Sequence, residues 1–227
     1  SNAIPFFVIG NGSNLLVRDG GLDGVVVKMG PAFSDVTVDG NFITAQAGAA
    51  VAKVAQASFR AGLTGMEALA GIPGTVGGGV IMNAGAYEQE MKDVLCSLHA
   101  IADDNTLCTL SCEEMELGYR TSRMMRENMV VTEVTFALKP GNPEEIREKA
   151  EEFAVRRRTK QPLEKYSAGS TFKRPQGHFA GALIEQAGLR GYTLRGAQVS
   201  DKHCGFLINN GKATARDVLD LMAYVQD

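Results

Sequence analysis

The first part of the chain alternates short apolar runs with turn-forming residues, which is the pattern of a β-rich region. Residues Ile4–Gly10 form an apolar run ending in glycine, and this run predicts a buried strand. The sequence NGSN follows as a turn, and residues 15–30 predict two further strand pieces separated at Gly20-Gly21. The chain is therefore predicted to begin with sheet.

The next segment predicts a hairpin followed by a helix. Apolar and polar residues alternate on both sides of Asp39-Gly40, a dipeptide suited to a tight turn between antiparallel strands. Apolar residues then recur at helical spacing from Val51 to Phe59, and Gly62 stands where such a helix is capped.

The second half predicts more sheet and two helices. Strands are predicted at Val94–Ala102 and Met129–Leu138. The stretch Asn142–Pro162 predicts a helix, because acidic residues open it and basic residues close it, as the helix dipole favours. Thr214 and Asp217 form a capping box for a last helix, whose apolar face is Val218, Leu221, Met222 and Val225.

One glycine-rich segment stands out from this pattern. Gly71–Tyr87 reads GIPGTVGGGVIMNAGAY, with six glycines and no charged residue. Glycine is used where the chain takes positive φ or where another group approaches the backbone closely. Flexible linkers favour serine and charged residues instead. We therefore predict a buried loop around a ligand, with its apolar side chains packed into the protein (Ile72, Val76, Val80 and Ile81).

Composition excludes several function classes. The 227 residues are 44% hydrophobic and 22% charged with a net charge of −3, which argues against a nucleic-acid-binding surface. No apolar run is long enough for a membrane span and no signal peptide opens the chain, so a cytoplasmic protein is expected. The four cysteines form no CxxC pair and the three histidines are scattered, which predicts free thiols and no metal site.

Three short motifs could carry chemistry, and each is ambiguous when taken alone. GNGSNL lacks the third glycine of a dinucleotide fingerprint at Leu15, but its free backbone N–H groups could bind an anion. Ser170 in AGSTFKRP has no GxSxG context, and a lone serine of this kind is seldom catalytic. Arg120 in GYRTS could hold a carboxylate or phosphate, or form a structural salt bridge.

The order of the motifs is more specific than any one of them. GNGSNLL, AGIPGTVGGGVIMNAGAY, GYRTS, RTKQP, AGSTFKRP and SDKHCGFLIN together resemble the UDP-N-acetylenolpyruvoylglucosamine reductases, the MurB family of flavoenzymes. The resemblance implies an α+β fold with an FAD-binding region of the vanillyl-alcohol-oxidase/PCMH-like type. It implies a remnant of a first FAD-binding subdomain at 1–30, a second FAD-binding subdomain at 31–161 and a smaller α+β substrate domain at 162–227.

The resemblance also implies which residues hold the cofactor. Two backbone-lined cradles, the first within Gly10–Leu15 and the second within Gly71–Ala86, and one arginine would contact FAD, in agreement with the need of a pyrophosphate for N–H donors at close range. The predicted cofactor residues are Gly10, Asn11, Gly12, Ser13, Asn14, Leu15, Gly71, Ile72, Pro73, Gly74, Thr75, Gly77, Gly78, Met82, Asn83, Gly85, Ala86 and Arg157.

The implied reaction is a two-stage hydride transfer. NADPH, the co-substrate, reduces the flavin, and the enolpyruvyl sugar nucleotide is then reduced to UDP-N-acetylmuramate for peptidoglycan. By matched position, Arg120 stabilises the charge that develops beside the carboxylate and Ser170 delivers the proton. The predicted substrate residues are Tyr87, Lys160, Arg174, Arg190 and His203.

The ends of the chain depart from the family. Ser1-Asn2-Ala3 is typical of a cleaved expression tag, the family's opening strand and helix are absent, and its C-terminal catalytic glutamate has no counterpart. We therefore expect a monomeric piece with weakened FAD binding and no turnover. The alternatives are another flavin oxidoreductase of the same superfamily and a non-catalytic nucleotide- or flavin-binding fragment.

Overall fold

A computed structural model describes residues 4–227, so the predicted tag residues 1–3 lie outside the described part. The chain divides into two compact units. The first contains the chain up to Gly12 and Gly24–Val155, and the second contains Ser13–Asp23 and Arg156–Asp227. The predicted three-domain division at 1–30, 31–161 and 162–227 stays a prediction.

The first unit contains most of the strands. They are β1 (Phe6–Ile9), β2 (Val25–Lys28), β3 (Val36–Asp39), β4 (Phe42–Gln46), β5 (Leu63–Thr64), β6 (Gly85–Ala86), β7 (Gln89–Glu90), β8 (Leu95–Ile101), β9 (Leu107–Ser111), β10 (Val130–Ala137) and β11 (Lys139–Pro140). Its helices are α1 (Val51–Arg60), α2 (Val76–Ile81), α3 (Arg123–Arg126) and, up to Val155, α4 (Pro143–Lys160), with single 3-10 turns at Pro31–Phe33 and Met91–Asp93.

The centre of this unit is a five-stranded antiparallel sheet in the order β3-β4-β10-β8-β9. The predicted hairpin is confirmed as β3 and β4, although its two loop residues are Gly40 and Asn41, one position later than predicted. Both predicted central strands are also confirmed, as β8 and β10. Their buried residues meet in register, with Val134 of β10 opposite Leu98 of β8 on one side and Ala45 of β4 on the other.

The predicted helix from Val51 is confirmed as α1, and its apolar residues join the core of the first unit. Val51 and Val54 are fully buried, and Gly62 follows the helix with φ of +67°, a conformation that favours glycine. The apolar residues of the glycine-rich segment join the same core. Val76 and Val80 are fully buried, and Ile72 and Ile81 pack against the core in partly buried positions.

The first predicted strand forms but is not buried, so that part of the prediction is wrong. Strand β1 pairs in parallel with β2 as a separate two-stranded sheet, and Phe6 is 64% exposed. Residues 15–30 contribute one strand, Val25–Lys28, rather than the two predicted. An apolar run indicates a strand, but it does not tell whether another element covers that strand.

The second unit is smaller and has its own core. It contains α5 (Ala180–Gln186), α6 (Ala215–Gln226) and a three-stranded antiparallel sheet of β12 (Thr193–Leu194), β13 (Ala197–Val199) and β14 (Leu207–Asn209). The predicted capping box of α6 is present, and Leu221 on its apolar face is fully buried. Within residues 4–227, no helix has both the length and the hydropathy to cross a membrane.

Candidate active site

The glycine-rich segment is partly helical rather than a loop, which corrects the prediction for Val76–Ile81. Thr75 caps this six-residue helix, and its side chain accepts a hydrogen bond from the Gly78 amide at 3.5 Å. Gly77 is required for close packing. A Cβ on Gly77 would lie 2.8 Å from the Cβ of Ala47, well inside van der Waals contact. Glycine therefore lets the helix lie directly against its neighbour.

The first unit brings the start of the first predicted cradle, Gly10–Gly12, against the second cradle. A Cβ on Gly10 would lie 2.1 Å from Oγ1 of Thr75, so the two glycine segments touch at this position. Gly12 follows with φ of +69°, in the left-handed region that glycine favours. The rest of the first predicted cradle, Ser13–Leu15, belongs to the second unit.

The backbone N–H groups of the cradles divide into two groups. Two near the start of α2 are satisfied internally, because Val76 donates to Ala49 and Gly77 donates to Ala47. The amides of Gly12, Gly74 and Thr75, in contrast, have no carbonyl acceptor within the described part of the chain. Such donors need water or a ligand, and phosphate oxygens are suitable acceptors. The donor set and the glycine packing therefore fit FAD.

Arg120 lies in a strained turn. The turn runs from Gly118 to Thr121, whose backbone groups exchange two hydrogen bonds of 3.0 and 3.3 Å. Arg120 has φ of +54° in this turn. That conformation is uncommon for a residue with a long side chain and costs on the order of 1–3 kcal/mol, so other contacts must stabilise it.

The guanidinium of Arg120 is held by backbone carbonyls. Nη1 donates to the carbonyl oxygen of Asn83 at 3.0 Å, and Nη2 donates to that of Gly85 at 3.1 Å. No carboxylate of the described residues pairs with Arg120, so the alternative of a structural salt bridge is wrong within residues 4–227. The guanidinium presents five N–H donors, and its remaining donors and its charge are available to an anion.

Asn83 connects the elements around this arginine. Its side chain is fully buried at 0% exposure, and its φ is +39°. Nδ2 donates to the Glu90 carboxylate and to the Gly118 carbonyl, both at 3.0 Å, while Oδ1 accepts from the Lys92 amide at 3.0 Å. The side chain is therefore fully used inside the protein. The backbone is used as well, because the Asn83 N–H donates to the Val80 carbonyl at 2.9 Å and its carbonyl accepts from Arg120. The predicted cofactor contact of Asn83 stays a prediction that this geometry does not support.

The hairpin of β6 and β7 carries Tyr87. Tyr87 and Glu88 form its two-residue turn with φ of +53° and +66°, values that match a type I′ turn but are unusual for residues other than glycine, asparagine and aspartate. The Tyr87 ring stacks on Phe153 with centroids 4.6 Å apart. A Cβ on Gly85 would lie 2.5 Å from the Gln89 carbonyl oxygen, so the hairpin requires glycine there. Ala86, in β6, and Met82, three residues before β6, are both partly buried.

Ser170 and His203 both contact Phe206 in the second unit. The backbone of Ser170 forms an isolated antiparallel bridge with Phe206, and the His203 ring packs edge-on against the Phe206 ring at 4.9 Å. Ser170 is exposed, and its hydroxyl has no hydrogen-bond partner among the described residues. It is therefore free to donate a proton to a ligand.

The imidazole of His203 is held neutral. Its Nδ1 accepts a hydrogen bond from the Gly205 amide at 3.1 Å, which places the ring proton on Nε2. Burial lowers the pKa of His203 below its usual range, and the positive charge of Arg190 lowers it further. His203 is thus a hydrogen-bond donor through Nε2 rather than a cation.

The other predicted basic residues of the second unit differ in their surroundings. Arg190 donates to the Glu185 carboxylate and to the Asp201 carbonyl, and the hydrogen bond to Glu185 raises its pKa. The Arg174 guanidinium lies 4.4 Å from the centre of the Phe179 ring. Arg157 is half-buried and Lys160 is exposed, both in the last turn of α4.

Sequence reasoning missed the buried carboxylate of Glu67. It is 2% exposed and accepts from the Thr64 hydroxyl at 2.6 Å and from the Gly65 amide at 2.8 Å. The Gly65 carbonyl in turn accepts from the Gln89 side chain, which connects Glu67 to the Tyr87 hairpin. The sequence did contain a sign of this residue, because Glu67 is a single acid in the apolar stretch before Gly71–Tyr87. Charged residues are rarely buried unless they are paired or hydrogen-bonded.

No group of three His, Cys, Asp or Glu residues in the described chain could hold a metal ion. Cys96, Cys108, Cys112 and Cys204 are all free thiols. Burial raises the pKa of the Cys112 and Cys204 thiols, so both are poor nucleophiles near neutral pH.

Comparison with known proteins identifies two family models along the chain. A model described as an FAD binding domain matches residues 1–111. A second, described as the C-terminal domain of UDP-N-acetylenolpyruvoylglucosamine reductase, matches residues 161–227.

Individual relatives agree with the family models. A UDP-N-acetylenolpyruvoylglucosamine reductase of Clostridium botulinum strain Eklund 17B is 51% identical over 225 residues, covering 99% of this chain and 74% of the relative. One from Clostridioides difficile strain 630 is 47% identical over 224 residues, with the same coverage of both chains. The crystal structure of UDP-N-acetylenolpyruvylglucosamine reductase (MurB) from Thermus caldophilus superimposes with a TM-score of 0.89 at 38% identity, covering 99% of this chain and 82% of that one.

Proposed function

The chain belongs to the UDP-N-acetylenolpyruvoylglucosamine reductase (MurB) family, and on that premise we propose that it reduces UDP-N-acetylenolpyruvoylglucosamine to UDP-N-acetylmuramate with NADPH as the co-substrate. It is a flavin-dependent oxidoreductase with the α+β, FAD-binding arrangement that the sequence predicted. The proposal includes a monomeric enzyme that acts in the cytoplasm.

One observation carries the proposal. Arg120 is a partly buried cation that no carboxylate of the described residues neutralises, and two backbone carbonyls fix its direction. A cation in such a position is suited to an anionic ligand, because water screens it less than at the surface. The carboxylate of an enolpyruvyl group is such a ligand, and a planar guanidinium matches its two oxygens.

FAD, when bound, would accept hydride from NADPH and pass hydride to the alkene of the sugar nucleotide. Gly12, Gly74 and Thr75 would donate backbone N–H groups to it. Gly10 and Gly77 would let the backbone segments that carry these donors pack closely, since a side chain at either position collides with Thr75 or Ala47.

Arg120 acts on the charge that hydride addition creates. Hydride at one alkene carbon leaves an electron pair on the carbon that bears the carboxylate, and this charge spreads onto the carboxylate oxygens. A guanidinium fixed by Asn83 and Gly85 needs little reorganisation as that charge develops. It therefore stabilises the transition state more than the bound substrate.

Ser170 completes the addition by protonating that carbon. Its hydroxyl is unused in the described part of the chain, and a serine hydroxyl becomes an effective proton donor only when the closed site orients and desolvates it. Substrate binding is assigned to Tyr87, Lys160, Arg174, Arg190 and His203, with His203 donating through Nε2.

The test is product formation by the purified protein supplied with FAD. NADPH oxidation is followed at 340 nm with and without UDP-N-acetylenolpyruvoylglucosamine, and the product is identified by its mass. The proposal expects oxidation that depends on the sugar nucleotide and a product heavier by two hydrogens. Flavin binding without such turnover would support a non-catalytic flavoprotein instead, and turnover with a different alcohol or sugar would support another reductase.

The opposite expectation, that these 227 residues bind FAD weakly and do not turn over, stays a prediction. The same assay decides between it and the proposed activity.

A further inference from the structure

We propose that Asn83 is the positioning residue of Arg120, holding both the guanidinium and the turn from which this side chain extends. The inference rests on the proposed function, in which Arg120 acts on the substrate. It assigns to Asn83 a role different from cofactor contact through its side chain, which is fully buried.

Asn83 holds the guanidinium through its backbone. Its carbonyl oxygen accepts from Nη1 of Arg120 at 3.0 Å, and the Gly85 carbonyl two residues later accepts from Nη2 at 3.1 Å. Two acceptors on neighbouring residues fix both the position and the plane of the guanidinium. Any rotation of the Asn83 backbone would move this plane.

Asn83 holds the turn through its side chain. Nδ2 donates to the Gly118 carbonyl at 3.0 Å, and Gly118 opens the turn that contains Arg120. Arg120 has φ of +54° there, so the turn depends on outside contacts to stay in a conformation that most residues avoid. The Asn83 amide is such a contact.

The orientation of the Asn83 side chain is fixed by its neighbours. Nδ2 faces two acceptors, the Glu90 carboxylate and the Gly118 carbonyl, and Oδ1 faces the Lys92 amide donor. The reverse orientation would place acceptor against acceptor and donor against donor. Glu90 and Lys92, which contact the Asn83 side chain, also form an ion pair of 2.9 Å with each other. Asn83 therefore links these two residues both to the guanidinium of Arg120 and to the turn that contains its backbone.

The variant Asn83→Gly tests this role. Glycine accepts φ of +39° without strain and keeps the carbonyl, so the substitution removes only the side-chain support. The matched control is Asn128→Gly, since Asn128 is also an asparagine at positive φ, +51°, but is exposed outside this network. If Asn83→Gly fails to fold, the second variant is Asn83→Asp combined with Glu90→Gln, which keeps the side-chain volume and a hydrogen bond between positions 83 and 90 but removes the donor to Gly118, and we expect the same slowed second stage from it.

Two stages of turnover are measured separately in rapid-mixing experiments. We expect Asn83→Gly to leave the rate of NADPH-dependent flavin bleaching within twofold of the parent. The return of flavin absorbance on adding the sugar nucleotide, which we call recovery, should slow about 10²-fold, since misplacing a catalytic group by about 1 Å costs that much. The control Asn128→Gly should match the parent in both stages. Flavin content should be unchanged in both variants.

A double-mutant cycle with Arg120→Lys gives the decisive readout. If Asn83 acts through Arg120, then Asn83→Gly should slow the Arg120→Lys enzyme less than threefold, because the interaction that it supports is already lost. A full 10²-fold further loss in that background, or an equal loss in both stages, would overturn the inference. Arg120→Lys without effect on recovery would instead contradict the proposed function, so the two failures are distinguishable.

Discussion

The carboxylate of Asp19 accepts hydrogen bonds from the backbone amides of Ala215 at 2.7 Å and Arg216 at 3.1 Å, although Asp19 lies 196 positions before Ala215. The next amide of the helix, that of Asp217, donates to the Thr214 hydroxyl, and the Thr214 amide donates to the Asp217 carboxylate. All four amides that a helix start leaves without partners are therefore satisfied. Asp19 also ties Ser13–Asp23 to the second unit.

Replacing Asp19 with alanine should destabilise the second unit. Two amides at the start of α6 would lose their acceptor, and the loss of a helix cap costs about 0.5–2 kcal/mol. We expect a lower midpoint of urea unfolding for Asp19→Ala, whereas Asp23→Ala, at an exposed position in the same segment, should leave it unchanged. Equal midpoints for the two variants would show that the cap adds no stability.

Adding one methyl group at Gly10 should weaken flavin binding. A Cβ there would lie 2.1 Å from Oγ1 of Thr75, so the two cradles must separate. We expect Gly10→Ala to contain less FAD per protein, measured from the ratio of flavin to protein absorbance. The matched control is Gly20→Ala, because a Cβ at Gly20 meets nothing within 4 Å. Full flavin content in Gly10→Ala would contradict this account of the site.

Stability should fall in mild acid because of His203. Burial lowers its pKa in the folded protein, while the unfolded chain has a histidine pKa of about 6.5. Below that value the unfolded state binds the proton first, so stability is complete above about pH 6.5 and falls as the pH drops toward the folded pKa. Protonation of Nδ1 would also break the hydrogen bond from Gly205.

The measurement is urea unfolding between pH 5 and 8 for the parent and for His203→Gln. The variant should lose less stability over this range, with His178→Gln, at an exposed position, as the control. A parallel pH dependence for all three proteins would show that His203 does not contribute.

Local sequence patterns predicted most helices and strands. Which residues contact these elements depends on long-range contacts, which the patterns do not show. The capping box at Thr214 and Asp217 was visible because its partners lie three residues apart, whereas Asp19 gave no sign of its role in capping the same helix. Motifs in the sequence pointed to both Asn83 and Arg120 as site residues. They did not show that Asn83 supports Arg120, because the Asn83 side chain is held by residues from elements far apart in sequence.

Removing the hydroxyl of Ser170 should affect one stage of the reaction. Positioned proton donors contribute typically ~10²–10⁴-fold, so Ser170→Ala should slow reduction of the sugar nucleotide by that order. NADPH-dependent bleaching should not change, because Ser170 has no part in that stage. The control is Ser34→Ala, whose hydroxyl donates to the Pro31 carbonyl in the first unit. Equal rates for Ser170→Ala and the parent in the second stage would remove Ser170 from the mechanism.

The central claim is that Arg120 stabilises charge on the enolpyruvyl substrate, and rapid mixing of Arg120→Lys tests it most directly. The protein is first mixed with NADPH and then with UDP-N-acetylenolpyruvoylglucosamine while flavin absorbance is followed, with Arg123→Lys, from the exposed pair with Glu127, as the control. Lysine keeps the charge but loses the planar fork held by Asn83 and Gly85. We predict unchanged bleaching and a saturating recovery rate lowered about 10²–10³-fold, the range for losing one preorganised donor. A recovery rate equal to that of the control at saturating substrate would contradict the claim.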